Sequence, residues 1–232
     1  MKVLNDLYDY GLKIYQDEQN FKFSLDTILL AESVELKKND KVLDFCTGSA
    51  PVPLILSTKY SNKIVGVEIQ RQVYDLAKES VSYNGLSDQI ELINDNLLNI
   101  KNYFPGNNFD VITCNPPYFK VSNSSLINDC EIKAISRHEI TVSLKEIVET
   151  VNFMLKNNGA FYIVHRSERL QELINELSTN KLFVKNIYFI KTNDTNDVNL
   201  VLIKAVKNGR YGTKVKVIET LRKESYKNIF FE

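Results

Sequence analysis

Residues 42–50, Val42-Leu43-Asp44-Phe45-Cys46-Thr47-Gly48-Ser49-Ala50, pass from a short apolar run through a turn of small residues into a helical pattern. An apolar run that does not alternate reads as a strand buried on both faces, which is the habit of parallel sheets flanked by helices. The small residues let the chain turn sharply and leave its backbone open to a ligand. Asp44 stands at the carboxyl end of the strand and Gly48 in the turn.

Outward from this unit the alternation repeats. Strands are expected at 41–45, 63–68, 89–94, 109–114, 160–164, 184–190 and 198–206, with helices at 50–60, 71–84, 144–156 and 167–179. In the last of these, Leu170, Leu173, Ile174 and Leu177 recur at helical spacing, and Ser167 is the expected N-cap. Such order predicts an α/β fold of right-handed βαβ units, seven strands in a mostly parallel sheet with helices on both faces. The last two strands follow one another through the polar Thr192-Asn193-Asp194-Thr195-Asn196-Asp197 and are expected to form an antiparallel hairpin at the sheet edge. Residues 1–36 lie outside the alternation and are read as an N-terminal cover: a hairpin around Asp17-Glu18-Gln19-Asn20, then a helix capped by Ser24. Residues 37–232 form the main domain, the whole being treated as one compact unit.

The chain has 232 residues, with hydrophobic and charged fractions of 44% and 25%, both ordinary for a globular core. No apolar run reaches the ~18–20 residues of a membrane span, and the start of the chain lacks a signal-peptide pattern. Cys46, Cys114 and Cys130 are odd in number and stand apart from His138 and His165. They suggest reduced thiols in a cytoplasmic protein with no metal site. The zero net charge conceals an asymmetry. Residues 1–130 hold 12 Lys/Arg against 17 Asp/Glu, residues 131–232 hold 17 against 12, and residues 181–232 hold 11 against 5. A basic lip meeting phosphates and a Lys-rich background composition are both compatible with that distribution.

Glu68 ends the second strand, 24 residues after Asp44. An acid there is placed to accept both hydroxyls of a ribose. Asp95 and Asn96 follow the third strand. Asn115-Pro116-Pro117-Tyr118 follows the strand Phe109–Cys114. It sets an amide, two rings of fixed φ and an aromatic face at a strand's carboxyl end, a site for a planar nitrogen nucleophile. A dinucleotide site would need a fuller glycine loop than Cys46 to Ala50 offers.

In that order these features resemble class I S-adenosylmethionine (SAM)-dependent methyltransferases of Rossmann-like fold that modify an amino or amide nitrogen. The segment Phe21-Lys22-Phe23-Ser24-Leu25-Asp26-Thr27-Ile28-Leu29-Leu30-Ala31 narrows the resemblance. It is similar to the signature of the bacterial tRNA (adenine-N6)-methyltransferases that act at adenine 37 of a valine tRNA. Further stretches that follow this subfamily are Ala134-Ile135-Ser136-Arg137-His138-Glu139, Leu155-Lys156-Asn157-Asn158-Gly159 and His165-Arg166-Ser167-Glu168-Arg169-Leu170. The resemblance covers about residues 10–210 and departs from the pattern at Cys46, at Ala50 and in the C-terminal tail.

The resemblance implies SAM as cofactor, held by Asp26, Asp44, Cys46, Gly48, Glu68 and Asp95 or Asn96. It implies catalysis by Asn115, Pro116, Pro117 and Tyr118, with tRNA as partner. Tyr118 and Phe119 would stack the base. Arg137, Arg166, Lys204, Lys207 and Arg210 are candidates for phosphate contact, as are Lys214 and Lys216. His138 and His165 are read as structural or RNA-facing. Neither a membrane nor a metal is expected, and the oligomeric state is read as monomer or weak dimer. The same residues could serve a glutamine methyltransferase of release factors, an rRNA or DNA adenine methyltransferase, or a non-catalytic SAM- or RNA-binding module.

Overall fold

The computed structural model describes residues 2–17, 23–117, 142–191, 197–220 and 225–231. Tyr118, Phe119, Cys130, Arg137 and His138 therefore lie outside the described residues, as does most of the 192–197 linker.

The elements run β1 (Lys2–Asp6), β2 (Lys13–Asp17), α1 (Leu25–Ser33), β3 (Val42–Phe45), α2 (Pro51–Ser57), β4 (Ile64–Val67), α3 (Arg71–Tyr83), β5 (Ile90–Ile93) and β6 (Phe109–Cys114). They continue with α4 (Leu144–Met154), β7 (Leu155–Arg166), α5 (Leu170–Thr179), β8 (Leu182–Lys191), β9 (Leu200–Lys207) and β10 (Lys214–Glu219).

Eight strands form one sheet in the order β10-β8-β9-β7-β6-β3-β4-β5. All its pairings are parallel except those of β9, which is antiparallel to both β7 and β8. From β3 the chain winds outward through β4 and β5, then returns to lay β6 on the other side of β3. The reversal makes the carboxyl ends of β3 and β6 a topological switch point, where open α/β sheets leave a crevice for ligands.

The sheet is apolar on both faces, and period-2 alternation divides its side chains between them. Val42, Ile64 and Val111 pack with α1, α2, β2 and the C-terminal segment, while Leu43, Phe45, Val65 and Ile112 pack with α4 and α5. A central strand therefore reads as a continuous apolar run, and an acid such as Asp44 within it is out of place unless a site needs it.

The expected hairpin between the last two strands is present as β8 and β9, but it is not the edge. β10 adds parallel to β8 and becomes the eighth, outermost strand. Its sequence, Lys-Val-Lys-Val-Ile-Glu, leaves all but Ile218 exposed, as an edge strand protected by lysines does. The N-terminal hairpin pairs Lys2–Asp6 with Lys13–Asp17, upstream of the expected turn around Asp17–Asn20. Ser24 occupies the N-cap of α1 without a side-chain capping bond. Ser167 begins a short 3-10 turn instead of capping α5, and its hydroxyl donates to the Val198 carbonyl.

The N-terminal elements are fastened to the sheet's helices. The Tyr15 N–H donates to Ser80 Oγ (2.9 Å), and Lys13 and Asn84 exchange two bonds. The C-terminal residues close over the same region. Phe230 is buried with its ring 4.8 Å from that of Tyr188, and the Asn228 N–H donates to the buried Glu32 (2.9 Å). Glu32 also accepts from Tyr10 (2.6 Å) and pairs with Lys59 (2.5 Å), so the divergent tail serves to lock α1 in place.

Candidate active site

Asp44 and Thr113 are register partners across β3 and β6, at the switch point. The Thr113 hydroxyl donates to Asp44 Oδ1 (2.6 Å) and the Thr47 hydroxyl to Oδ2 (2.7 Å). Asp44 is 2% exposed. Burial pushes its carboxyl pKa up to about 7, the nearby Glu68 adds to the rise, and the two hydroxyl bonds pull the other way.

Glu68 follows β4 directly. One of its oxygens accepts the Gly48 N–H (3.0 Å) and the other the Gln70 N–H (2.9 Å). It therefore ties the turn after β3 to the start of α3. It is 5% exposed, and burial raises its pKa against the pull of the backbone bonds. All of these partners of Asp44 and Glu68 are neutral. Two adjacent buried carboxylates without charge compensation suit a cationic ligand that also carries hydroxyl or ammonium donors.

The turn between them is left-handed at three alternate residues: Cys46 (φ 56°), Gly48 (φ 60°) and Ala50 (φ 70°). Glycine is the usual residue for such dihedrals. The turn thus keeps the backbone of a glycine-rich loop although two of its three positions carry side chains. A Cβ built at Gly48 would meet nothing within 4 Å, so the peptide there is open to close approach. At Gly66, in β4 behind the turn, a Cβ would lie 2.9 Å from both Leu92 Cδ2 and Thr47 Oγ1. Glycine at that position lets Thr47 reach Asp44.

Asp95 and Asn96 stand at the carboxyl end of β5. Asp95 accepts from Asn99 (2.8 Å), from Tyr103 (2.9 Å) and from the Asn96 N–H (2.7 Å), and the Asn99 bond foremost lowers its pKa. The Asn96 side chain caps the 3-10 turn Leu97–Asn102 by accepting from the Leu98 N–H (2.9 Å). Both side chains are thus engaged within their own turn.

Asn115 leaves β6 half-buried, followed by a buried Pro116 and an exposed Pro117. Its Nδ2 donates to Thr27 Oγ1 (2.9 Å) on α1. The sequence pattern singled out Asp26, which lies half-buried in the first turn of α1, and passed over Thr27. Phe23 packs toward Tyr8 of the N-terminal hairpin, with ring centroids 6.3 Å apart.

The basic candidates separate. Arg166 is exposed at the carboxyl end of β7, the strand beside β6. His165 is buried, and burial followed by the Arg169 guanidinium pushes its pKa down to about 4, so it is a neutral structural residue. Lys204, Lys207 and Arg210 stand away from Asn115 on β9 and beyond it. Lys204 pairs with Glu35 (2.6 Å) and lies over the Tyr162 ring. Lys207 Nζ donates to Asn107 Oδ1 (2.8 Å) and to the carbonyls of Leu155 (2.9 Å) and Asn152 (2.5 Å) at the end of α4. Because β9 is antiparallel, its carboxyl end and Arg210 beyond it lie at the opposite sheet edge from Asn115, on the order of 25 Å away by strand geometry. Neither Lys207 nor Arg210 can touch a nucleotide held at Asn115. Lys214 and Lys216 lie on the outermost strand, and Lys214 is level with Thr113 through Asn186, Lys204 and Tyr162.

Among the described residues, no group of three or more His, Cys, Asp or Glu could hold a metal ion, and no helix is long and apolar enough to cross a membrane.

Residues 17–168 match the model of a family described as RNA methyltransferase. A tRNA1(Val) (adenine(37)-N6)-methyltransferase of Bacteroides thetaiotaomicron is 29% identical over 153 residues, spanning 65% of this chain and 62% of the relative. A protein of the same name from Photobacterium profundum is 24% identical over 183 residues, 78% of this chain and 75% of the relative. A predicted O-methyltransferase from Agrobacterium tumefaciens superposes with a TM-score of 0.66 at 16% identity, covering 85% of this chain and 89% of its own. Pyrococcus horikoshii TYW2, solved with MeSAdo, superposes with a TM-score of 0.63 at 14% identity, covering 90% and 72%. These two share the fold.

Proposed function

The chain belongs to the RNA methyltransferase family, its residues 17–168 matching that family's model, and on that premise we propose that it methylates the exocyclic N6 of an adenine in tRNA, adenine 37 of a valine tRNA. The observation that carries the proposal is the Asn115 amide, oriented by Thr27 at the switch point beside two buried carboxylates. The tRNA, the position and the name come from relatives of which the matched region spans 62% to 75%.

SAM, when bound, supplies an electrophilic methyl group on a cationic sulfur. The site's residues suit it on three grounds: the buried pair Asp44 and Glu68 offers negative charge with only neutral partners, Gly48 leaves room against its backbone, and Asp95 presents an acceptor at the end of β5. Asp44 would face the ammonium group and Glu68 the ribose hydroxyls.

An aromatic amine is a poor nucleophile because its lone pair is delocalised into the ring. Acceptors aimed at its two N–H bonds localise that lone pair. Asn115 Oδ1 supplies one, and the Pro116 carbonyl the other, with φ at both prolines fixed so that little reorganisation is needed. The product cation is acidic and loses its proton to water, so no strong base is required. Arg166, on the neighbouring strand end, would meet a phosphate of the RNA, and an anticodon loop presents bases already unstacked.

The deciding experiment incubates the protein and methyl-labelled SAM with three pools: total tRNA from a strain lacking the gene, rRNA and release factors. Label in tRNA that digests to N6-methyladenosine is the expected result. Label in a release factor would assign the Asn115 pocket to a glutamine amide, and label in rRNA would move the substrate.

A further inference from the structure

The turn that carries Gly48 and the strand end that carries Asn115 each bring a cysteine to the same spot. Cys114 is the register partner of Phe45 across β3 and β6, so Cys46 is its diagonal neighbour. Strand spacing of ~4.8 Å and a rise of ~3.3 Å per residue put the two Cα atoms about 6 Å apart, inside the range that a disulfide spans. The left-handed backbone of Cys46 turns its side chain onto the face occupied by Cys114, and both pack in the same apolar cluster. Cys46 is near enough to Cys114 to raise the pKa of its thiol further, after burial. Both are unbridged; Cys46 is half-buried and Cys114 is fully buried.

We propose that Cys46 and Cys114 form a reactive dithiol, a modification site that a peroxide closes into a disulfide and that a trivalent arsenical bridges. Cys46 lies in the turn expected to hold SAM, but neither thiol takes part in the transfer chemistry, so the proposal does not rest on that reading. The accessible Cys46 sulfur, as thiolate, attacks one peroxide oxygen; the O–O bond breaks, hydroxide leaves and Cys46 becomes a sulfenic acid. The Cys114 sulfur then attacks the Cys46 sulfur, the S–O bond breaks and a second hydroxide leaves. The two thiol protons neutralise the two hydroxides, so hydrogen peroxide yields two waters while the thiols lose two electrons to it.

The order of attack follows from burial. Burial holds the Cys114 pKa well above the usual thiol value, so Cys114 is not the group that meets the oxidant, but it needs no solvent path to reach a neighbour so near. The new bond would fasten the cofactor-side turn to the residue preceding Asn115.

Peptide mapping of the native chain tests this directly, because trypsin leaves the cysteines in three peptides: 42–59, 102–120 and 121–133. Brief treatment with hydrogen peroxide, followed by blocking of remaining thiols, is expected to give a linked 42–59/102–120 species lacking two hydrogens. Dithiothreitol is expected to reverse it, and phenylarsine oxide to block both peptides at one arsenic per chain. A bridge through the 121–133 peptide, sulfinic acid on Cys46 with Cys114 still alkylatable after unfolding, or two thiols that outlast free cysteine under the same peroxide would each overturn the proposal.

Discussion

The Asn115 amide donates to the Thr27 hydroxyl (2.9 Å), joining the residue after β6 to a helix 88 positions earlier in the chain. The bond decides which way the amide lies. Thr27 is 7% exposed, so the contact is sheltered from competing water. Thr27→Val keeps the shape and removes the acceptor. Turnover is expected to fall by roughly tenfold, the scale of one net hydrogen bond, with SAM affinity within a factor of two. Thr27→Ser should restore the rate. A packing role alone would leave Val better than Ser, and single-turnover rates separate the two.

Asn115→Ala is expected to leave SAM binding nearly intact and to lower turnover by roughly 10²–10³, the cost of deleting one oriented acceptor of the transition state. Rate and cofactor affinity measured on the same preparation check it. A rate within a few-fold of the parent would remove Asn115 from the chemistry.

Asp44 gives the site a pH dependence of definite sign. Its pKa is raised from 3.8 to about 7, so between those values the folded chain holds a proton that the unfolded chain has released. Folding stability from this group is therefore full below pH ~4 and is lost as pH rises through 7. A cationic ligand favours the ionised form. SAM affinity is expected to rise from pH 6 to pH 8 and then level off, with proton uptake by buffer at pH 6. Calorimetry in two buffers of different ionisation enthalpy measures that proton. Asp44→Asn should weaken binding and flatten the profile.

Glu68 has two tasks, and the substitution must separate them. Its oxygens hold the N–H groups of Gly48 and Gln70, so Glu68→Ala would disturb the turn as well as the ligand. Glu68→Gln keeps the size and one acceptor oxygen but removes the charge. SAM affinity is expected to drop by about 2 kcal/mol, the scale of charge-assisted bonds, with a lower melting temperature because the amide NH2 cannot accept the second of the two N–H groups. Unchanged affinity by calorimetry would refute the assignment.

The legible parts of this fold are those whose burial is two-sided. Runs such as Phe109–Cys114 match their strand limits because both faces are covered, and Asp44 and Glu68 stand out as acids within or beside such runs. β10 escaped because an edge strand of alternating Lys and Val is exposed on both faces and lacks a burial pattern. β1 escaped because its inner face, Val3 and Asn5, is only half-buried and one of the two is polar. Thr27 was illegible because its partner is fixed by tertiary structure, and a threonine in a helix carries no mark of a contact 88 residues away. The glycine-like backbone at Cys46 and Ala50 was hidden by their side chains.

That backbone makes Gly48 a clean test of the pocket. Alanine at φ 60° costs about 1 kcal/mol of strain, and the loop already carries side chains at φ 56° and 70°. Nothing within 4 Å opposes the added methyl group. Gly48→Ala is expected to fold with a melting temperature lower by about 2–4 °C. The methyl group would stand where a ligand must approach the peptide, so SAM affinity should fall by more than the stability change implies. Equal affinity for parent and variant would move the ligand away from this turn.

Arg166 and Lys207 look alike in sequence, and the structure gives them opposite consequences. Arg166 is exposed at the edge of the sheet that carries Asn115. Lys207 closes the end of α4 through the carbonyls of Asn152 and Leu155, and burial lowers its pKa. Arg166→Ala is expected to weaken tRNA binding several-fold and to reduce the slope of log affinity against log salt by about one contact. Lys207→Ala should leave tRNA affinity alone and lower the melting temperature, because buried carbonyls lose their donor. Salt titrations of both variants read the difference. A loss of salt dependence in Lys207→Ala, without one in Arg166→Ala, would place the RNA at the opposite edge of the sheet.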